Sequence, residues 1–249
     1  MSHPSATMSL DVLLRDITPE DITPHVQPIF DVQTRSVFAH EILSRGPSPY
    51  ELPTQLFTRA RALGLIFELE RACSRAALRY VSQLPDPLKH GQWFVNVSPE
   101  VFCAAAKHVH PLTTMLRNAG LDPAQIVLEI TERAPAPDID RFARAADRYV
   151  RAGFRIAIDD FGSGVNGLLT LAACKPDIIK LDMELTRDVH SHIYKRRIVQ
   201  AIASLADSVQ ATLIAEGVET ELELEALVAE GVRFAQGRFL GPPAPYPRA

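Results

Sequence analysis

The sequence predicts an α/β fold, a TIM-like (β/α)8 barrel, on three observations. Short apolar runs alternate with segments of helical period along almost the whole chain, the pattern of parallel strands joined by helical crossovers. Eight such runs can be marked, enough to close a barrel rather than leave an open doubly wound sheet. At 249 residues, with 47% hydrophobic and 22% charged side chains, the chain fits one unit with a sizeable core.

In chain order, residues 1–20 read as a loose polar tail followed by a short packed segment, helix or strand, around Leu10, Val12, Leu13 and Leu14. Residues 21–245 read as the barrel. His25 to Asp31 and Ser36 to Arg45 are β-rich runs on either side of the turn-like Gln33-Thr34, so a hairpin is expected, with Glu41 near the end of its second strand. Gly46 to Pro53 must be a loop; Gln55 to Leu63 and Ile66 to Leu84 carry helical periodicity, closed by Pro85, Pro87 and Gly91. Trp93 to Pro99 is a short strand with the polar Asn96 set inside it.

Pro99 to Ala106 and Pro111 to Ala119 read as helices that each open on a proline, the second stopped by Gly120. The strand Ile126 to Glu132 ends acidic and leads through a proline loop to a helix over Ile139 to Ala152. From Arg155 an apolar run ends in two adjacent carboxylates, Asp159 and Asp160, and Gly162 and Gly164 let the backbone turn into a short helix. Asp177 to Asp182 is a strand carrying Lys180, followed by a helix from Ile193 to Asp207. Ala211 to Ala215 is a strand feeding Glu216-Gly217-Val218-Glu219; Leu222 to Glu230 is a helix and Val232 to Gly237, with Gln236, the last strand.

The formal charge of -4 and the lack of a Lys/Arg block argue against binding to long nucleic acid. Cys73, Cys103 and Cys174 show no CxxC pairing, which indicates neither a disulfide framework nor a zinc-thiolate site and fits a cytoplasmic protein. The longest uncharged stretch, Phe161 to Cys174, is broken by glycine and falls short of the about 20 apolar residues a bilayer span needs, so no membrane insertion is expected.

Glu41, Asn96, Glu129, Asp159 with Asp160, Lys180, Glu216 and Gln236 each sit at or just past the end of a separate apolar run. In a barrel those ends meet on one rim, where polar residues read as catalytic. Carboxylates and an amide oxygen are hard ligands that favour Mg²⁺ or Mn²⁺, and there are enough for two ions. A pair of ions about 3.5–4 Å apart serves in-line attack of water on a phosphodiester. Each residue also has a plainer reading. Asp159-Asp160 could only cap the next helix, and Asn96 could bond a neighbouring backbone group. Lys180 could pair with Asp182, Glu216 and Glu219 could be charges at a helix N-terminus, and Gln236-Gly237 could be an ordinary strand end. His40 should face away from Glu41 and read as structural.

With these pieces in hand, the chain resembles the EAL-domain family of bacterial cyclic di-GMP phosphodiesterases over roughly Gln27 to Pro243. In order they are Gln27-Pro28-Ile29, Glu41-Ile42-Leu43-Ser44-Arg45, Asn96-Val97-Ser98, Glu129-Ile130-Thr131-Glu132, Asp159-Asp160-Phe161-Gly162-Ser163-Gly164, Lys180-Leu181-Asp182, Ala215-Glu216-Gly217-Val218-Glu219 and Gln236-Gly237. The resemblance implies a barrel whose first strand is antiparallel and an enzyme that opens cyclic di-GMP to linear pGpG with two Mg²⁺ or Mn²⁺ ions. It implies that Glu41, Asn96, Glu129 and Asp159 hold one ion and that Asp159, Asp160 and Glu216 hold the other. Lys180, with Glu216 near it, would orient or help deprotonate the attacking water. Gln27 and Arg45 would contact the nucleotide, Gln236 would support the water or substrate side, and Glu132 and Glu219 would position the loop after the Asp-Asp strand and line the site. A homodimer is implied as well. The rival reading is a catalytically idle cyclic di-GMP receptor that acts through protein contacts.

The chain departs from the family pattern in three places. Glu-Ala-Leu is Glu-Ile-Leu here, with an effect expected on packing rather than chemistry. Val165-Asn166-Gly167 replaces a bulky residue followed by small ones in a loop thought to couple dimerisation to activity, and Gly46 stands where tryptophan is frequent.

Overall fold

Eight strands close into a ring in strict sequence order in a computed structural model, which describes residues 9–86, 88–131, 138–164 and 167–245. They are β1 (Thr23–Asp31), β2 (Ser36–Arg45), β3 (Gln92–Asn96), β4 (Ile126–Thr131), β5 (Arg155–Phe161), β6 (Ile178–Leu181), β7 (Thr212–Ala215) and β8 (Phe234–Ala235). β1 runs antiparallel to both of its neighbours, β2 and β8, and the other neighbouring pairs are parallel. The reversal follows from the hairpin: Asp31 Oδ1 accepts the backbone N–H groups of Gln33 and Thr34 and folds the chain straight back.

The helices are α1 (Leu10–Arg15), α2 (Pro53–Leu63), α3 (Ile66–Ser82), α4 (Pro99–Ala105), α5 (Val109–Asn118), α6 (Ile139–Arg151), α7 (Gly167–Cys174), α8 (Met183–Thr186), α9 (Ile193–Ser208) and α10 (Glu221–Ala229). The Leu10 to Leu14 segment is therefore a helix, and its Leu13 and Leu14 pack with Leu56 and Leu69 of α2 and α3. α5 starts two residues earlier than its proline suggested; Pro111 lies in the first turn, where a missing N–H leaves no helical bond unmade. The last strand shortens to Phe234 and Ala235, although the backbone of Arg233 and Gln236 still bonds to Val32 and Ala215.

Two apolar layers follow from the two-residue period of each strand. Ile29, Ala39, Phe94, Val127, Ala157, Ile178 and Ile214 fill the barrel interior, with Phe234 packed against them. Ile42, Leu128, Ile130, Ile156, Ile158 and Ile179 face outward into the larger core under the helices. His40 also faces outward, stacked on Trp93 with ring centroids 5.1 Å apart.

Candidate active site at the barrel mouth

Each strand places one polar residue two positions beyond its interior apolar residue, on the same inward face. Ala39 leads to Glu41, Phe94 to Asn96, Val127 to Glu129, Ala157 to Asp159, Ile178 to Lys180, Ile214 to Glu216 and Phe234 to Gln236. On the antiparallel β1 the count runs backwards, from Ile29 to Gln27. The barrel floor and the ring above it are thus successive layers of one inward-facing set.

Lys180 stands at the centre, fully buried at 0% exposure. Its Nζ donates to Glu129 Oε1 at 2.6 Å and to Glu41 Oε2 at 3.2 Å, and lies 2.6 Å from Glu216 Oε1 and 3.7 Å from Asp159 Oδ1. Its ammonium also lies 5.9 Å from the centroid of the Phe94 ring on the floor below. Glu41 is the second hub, accepting from Asn96 Nδ2 at 2.9 Å and from Gln236 Nε2 at 2.7 Å. Gln236 Nε2 also donates to Gln27 Oε1 at 3.1 Å, and Gln27 in turn donates to the Gly241 carbonyl. The plainer readings of three residues give way here. Asn96 bonds a carboxylate rather than backbone, Lys180 turns into the barrel while Asp182 caps α8 through Glu184 N–H, and Glu216 pairs with Lys180.

The electrostatics are those of acid crowded into a dry space. Burial, together with Glu41 close by, pushes the Glu129 carboxyl well above its usual range, and Lys180 offsets this only in part. Burial and the Asp159 carboxylate do the same to Glu216. For Lys180 burial acts downward, but the carboxylates of Glu129, Glu216, Glu41 and Asp159 override it and hold the ammonium charged well above the ordinary lysine range.

Adjacent strand residues ordinarily point to opposite faces, yet Asp159 and Asp160 both reach the mouth. Asp160 takes a left-handed backbone (φ 56°), and the pairing of β5 with β6 slips between Ile158 and Phe161. This kink gathers ligand oxygens of Asp159, Asp160 and Glu216 within 4.8 Å of one another. Thr131, part of the Glu129-Ile130-Thr131-Glu132 piece but given no role there, donates its hydroxyl to Asp160 Oδ2 at 3.3 Å. The loop bearing Glu216 is held by Gly237, where a Cβ would collide with the Val218 backbone.

Arg45 and Glu219 lie outside this network. Arg45 is half-buried at the end of β2, where its Nη1 donates to the Ser44 carbonyl. Glu219 is exposed, its backbone N–H held by Glu223. Glu132, Val165 and Asn166 lie outside the described residues. Ile42 faces the outer core, as its position beside Glu41 requires. Gly46 is buried under the Tyr50 carbonyl, with Leu56 Cδ1 2.7 Å from where a Cβ would stand, so this backbone has no room for an indole.

The donor set fits divalent cations. Glu41, Glu129 and Glu216 form one cluster of candidate ligands, and Asp159, Asp160 and Glu216 form another. Glu129 Oε2 and Asp159 Oδ1 are buried without a hydrogen-bond partner, and one ammonium is shared by four acids. All the donors are hard oxygens, suited to Mg²⁺ or Mn²⁺.

Comparison with known proteins agrees with this geometry. The family model for the EAL domain matches residues 11–243. The cyclic di-GMP phosphodiesterase PdeL of Escherichia coli is 30% identical over 92% of this chain and 67% of its own length. An uncharacterized signaling protein of Caulobacter vibrioides is 33% identical over 94% of this chain but only 29% of its own, so the chain spans less than a third of that relative. Klebsiella pneumoniae BlrP1, solved as a calcium and cyclic di-GMP complex, superposes with a TM-score of 0.82 at 32% identity, over 91% of this chain and 57% of BlrP1. It has also been solved with manganese and cyclic di-GMP.

Proposed function

Because the chain belongs to the EAL domain family, we propose that it is a cyclic di-GMP phosphodiesterase that hydrolyses one phosphodiester to give linear pGpG. The observation that carries this reading is the buried Lys180 ringed by Glu41, Glu129, Asp159 and Glu216, with carboxylate oxygens still lacking a hydrogen-bond donor. PdeL is named for this activity, and BlrP1 binds this nucleotide together with calcium or manganese.

Glu41, Asn96, Glu129 and Asp159 would hold one Mg²⁺ or Mn²⁺ ion, and Asp159, Asp160 and Glu216 the second. When bound, such ions neutralise charge that develops on the phosphoryl oxygens and make a water more acidic. Lys180, kept charged by its four acids, donates to the attacking water and orients it; it has no free pair with which to act as a base. Glu216, 2.6 Å from Lys180 Nζ, is the carboxylate placed to receive that water's proton. Gln236 keeps Glu41 in register from the far side, while Gln27, Arg45 and Glu219 contact the nucleotide. Glu132 positions the loop after β5. Arg45 and Lys180, together with the two ions when bound, would offset the chain's formal charge of -4 when the anionic substrate approaches. A cytoplasmic homodimer is part of the same proposal; among the described residues no helix is long and apolar enough to cross a membrane.

The test is incubation with cyclic di-GMP and Mg²⁺ or Mn²⁺, followed by chromatography for pGpG, with a chelator as control. Tight binding without pGpG would replace this reading with the idle receptor. The complete set of carboxylates speaks against that outcome, since their mutual repulsion costs stability that an idle domain has no reason to retain.

A further inference from the structure

A cavity of about 510 Å³ lies on the outer side of the barrel wall, under α3, α4 and α5. Its size falls within the range of about 300–1,000 Å³ typical of small-molecule pockets. Its floor is made by Ile42, Val95, Val97 and Leu128, each one residue along the chain from Glu41, Asn96 or Glu129. The two-residue period of the strands therefore makes the back of the mouth's acidic wall the floor of this cavity. Most of the lining is apolar, but Glu68 and Glu70 of α3 both line it, and Glu68 Oε2 is buried with no hydrogen-bond partner. Arg71 and Arg75 also border the cavity, as exposed residues. An acceptor lacking a donor, set among apolar side chains, calls for a ligand that brings a donor with it.

We propose that this cavity binds an apolar small molecule ending in a protonated amine, that the amine pairs with Glu68, and that filling the cavity alters turnover at the mouth through the shared strands β2, β3 and β4. The second part rests on the phosphodiesterase reading above; the binding itself does not. Glu70 adds a link, because its carboxylate accepts the Ser98 backbone N–H at 3.1 and 3.2 Å and so ties α3 to the turn that follows Asn96.

The experiment uses three probes of one shape, 4-phenylbutylamine, 4-phenylbutanol and 4-phenylbutyrate, on the whole chain. Calorimetry is expected to show one amine bound per chain, at least tenfold more tightly than the alcohol or the acid, with Glu68→Gln removing that preference. Methyl NMR of the methionines gives a readout that needs no variant: Met115 lines the cavity, and Met183 packs by Gly217 at the mouth. The amine should shift both signals and change cyclic di-GMP turnover at least twofold, and Leu112→Trp, which fills the cavity, should abolish these effects at an unchanged melting temperature. Equal affinity for the three probes, or a Met115 signal that does not move, overturns the site. Binding that leaves Met183 and turnover unaltered overturns the coupling. Absence of turnover without any probe defeats the phosphodiesterase reading and leaves calorimetry and Met115 to decide the site.

Discussion

Lys180 Nζ lies 2.6 Å from Glu129 Oε1, and both side chains are shut away from solvent at 1% exposure. An ion pair so placed does little net work while whole, but breaking it from one side leaves a buried charge uncompensated. Lys180→Met should therefore cost about 3–5 kcal/mol of stability and remove turnover. Urea unfolding measures the first effect, and added Mn²⁺ should recover part of it by supplying the missing positive charge. A variant as stable as the parent would show that the surrounding acids are neutralised by protons rather than by Lys180.

Glu41 accepts from Asn96, Lys180 and Gln236, and Asp159 belongs to the acidic cluster with Asp160 and Glu216. Glu41→Ala and Asp159→Ala should each lower turnover of cyclic di-GMP by more than about a thousandfold, about 4 kcal/mol of transition-state stabilisation, with the far-UV circular dichroism of the parent. Near-parental activity in either would remove that residue from the proposed ligand set.

Burial pushes the Glu70 carboxyl up to about 7 from 4.5. The folded state then holds a proton over that window while the unfolded chain has lost it, so this group's contribution falls as pH rises from 4.5 toward 7. Glu70→Gln keeps an oxygen for the Ser98 N–H and cannot ionise. The stability of this variant relative to the parent should improve by about 3 kcal/mol between pH 4.5 and pH 8. Denaturant titrations at the two pH values measure it, and a constant difference would show that Glu70 does not titrate in this range.

Gly237→Ala should lower stability by about 1–3 kcal/mol and turnover by more than that loss explains. The added methyl pushes Val218 away, and with it the segment from Glu216. A melting temperature and turnover within error of the parent would mean that the loop shifts freely.

Ile42→Ala restores the family's Glu-Ala-Leu triplet at a buried position facing the outer core. Stability should drop by about 2–4 kcal/mol while turnover at saturating substrate changes far less than in Glu41→Ala, because Ile42 and Glu41 point to opposite sides of β2. A large loss of turnover in the fully folded variant would mean that Ile42 sets the position of Glu41.

Much of the architecture was legible because it is written in short-range periods. The run Ile126 to Ile130 and the hairpin about Gln33-Thr34 each declare themselves by local chemistry, and their boundaries in the structure fall within a few residues of the reading. The last strand was overestimated because Val232 to Gly237 is apolar enough to pair throughout, whereas the barrel leaves only Phe234 and Ala235 in regular register. Thr131 carries no role in the sequence reading because a threonine at a strand end is ordinary until Asp160 lies beside it. Glu70 escaped because, in the sequence, it is one more charge on an amphipathic helix.

The sequence by itself determined which polar residues close the apolar runs, and in a closed barrel those run ends must share one rim. Only the tertiary structure decided how they meet: that Lys180 is the common partner of four acids, that a left-handed Asp160 lets two neighbouring carboxylates share one side, and that a cavity backs the same wall. The reason is one of range. Strand period acts between neighbours in the chain, whereas the contacts of Lys180 close distances of up to 139 residues and exist only once the ring is shut.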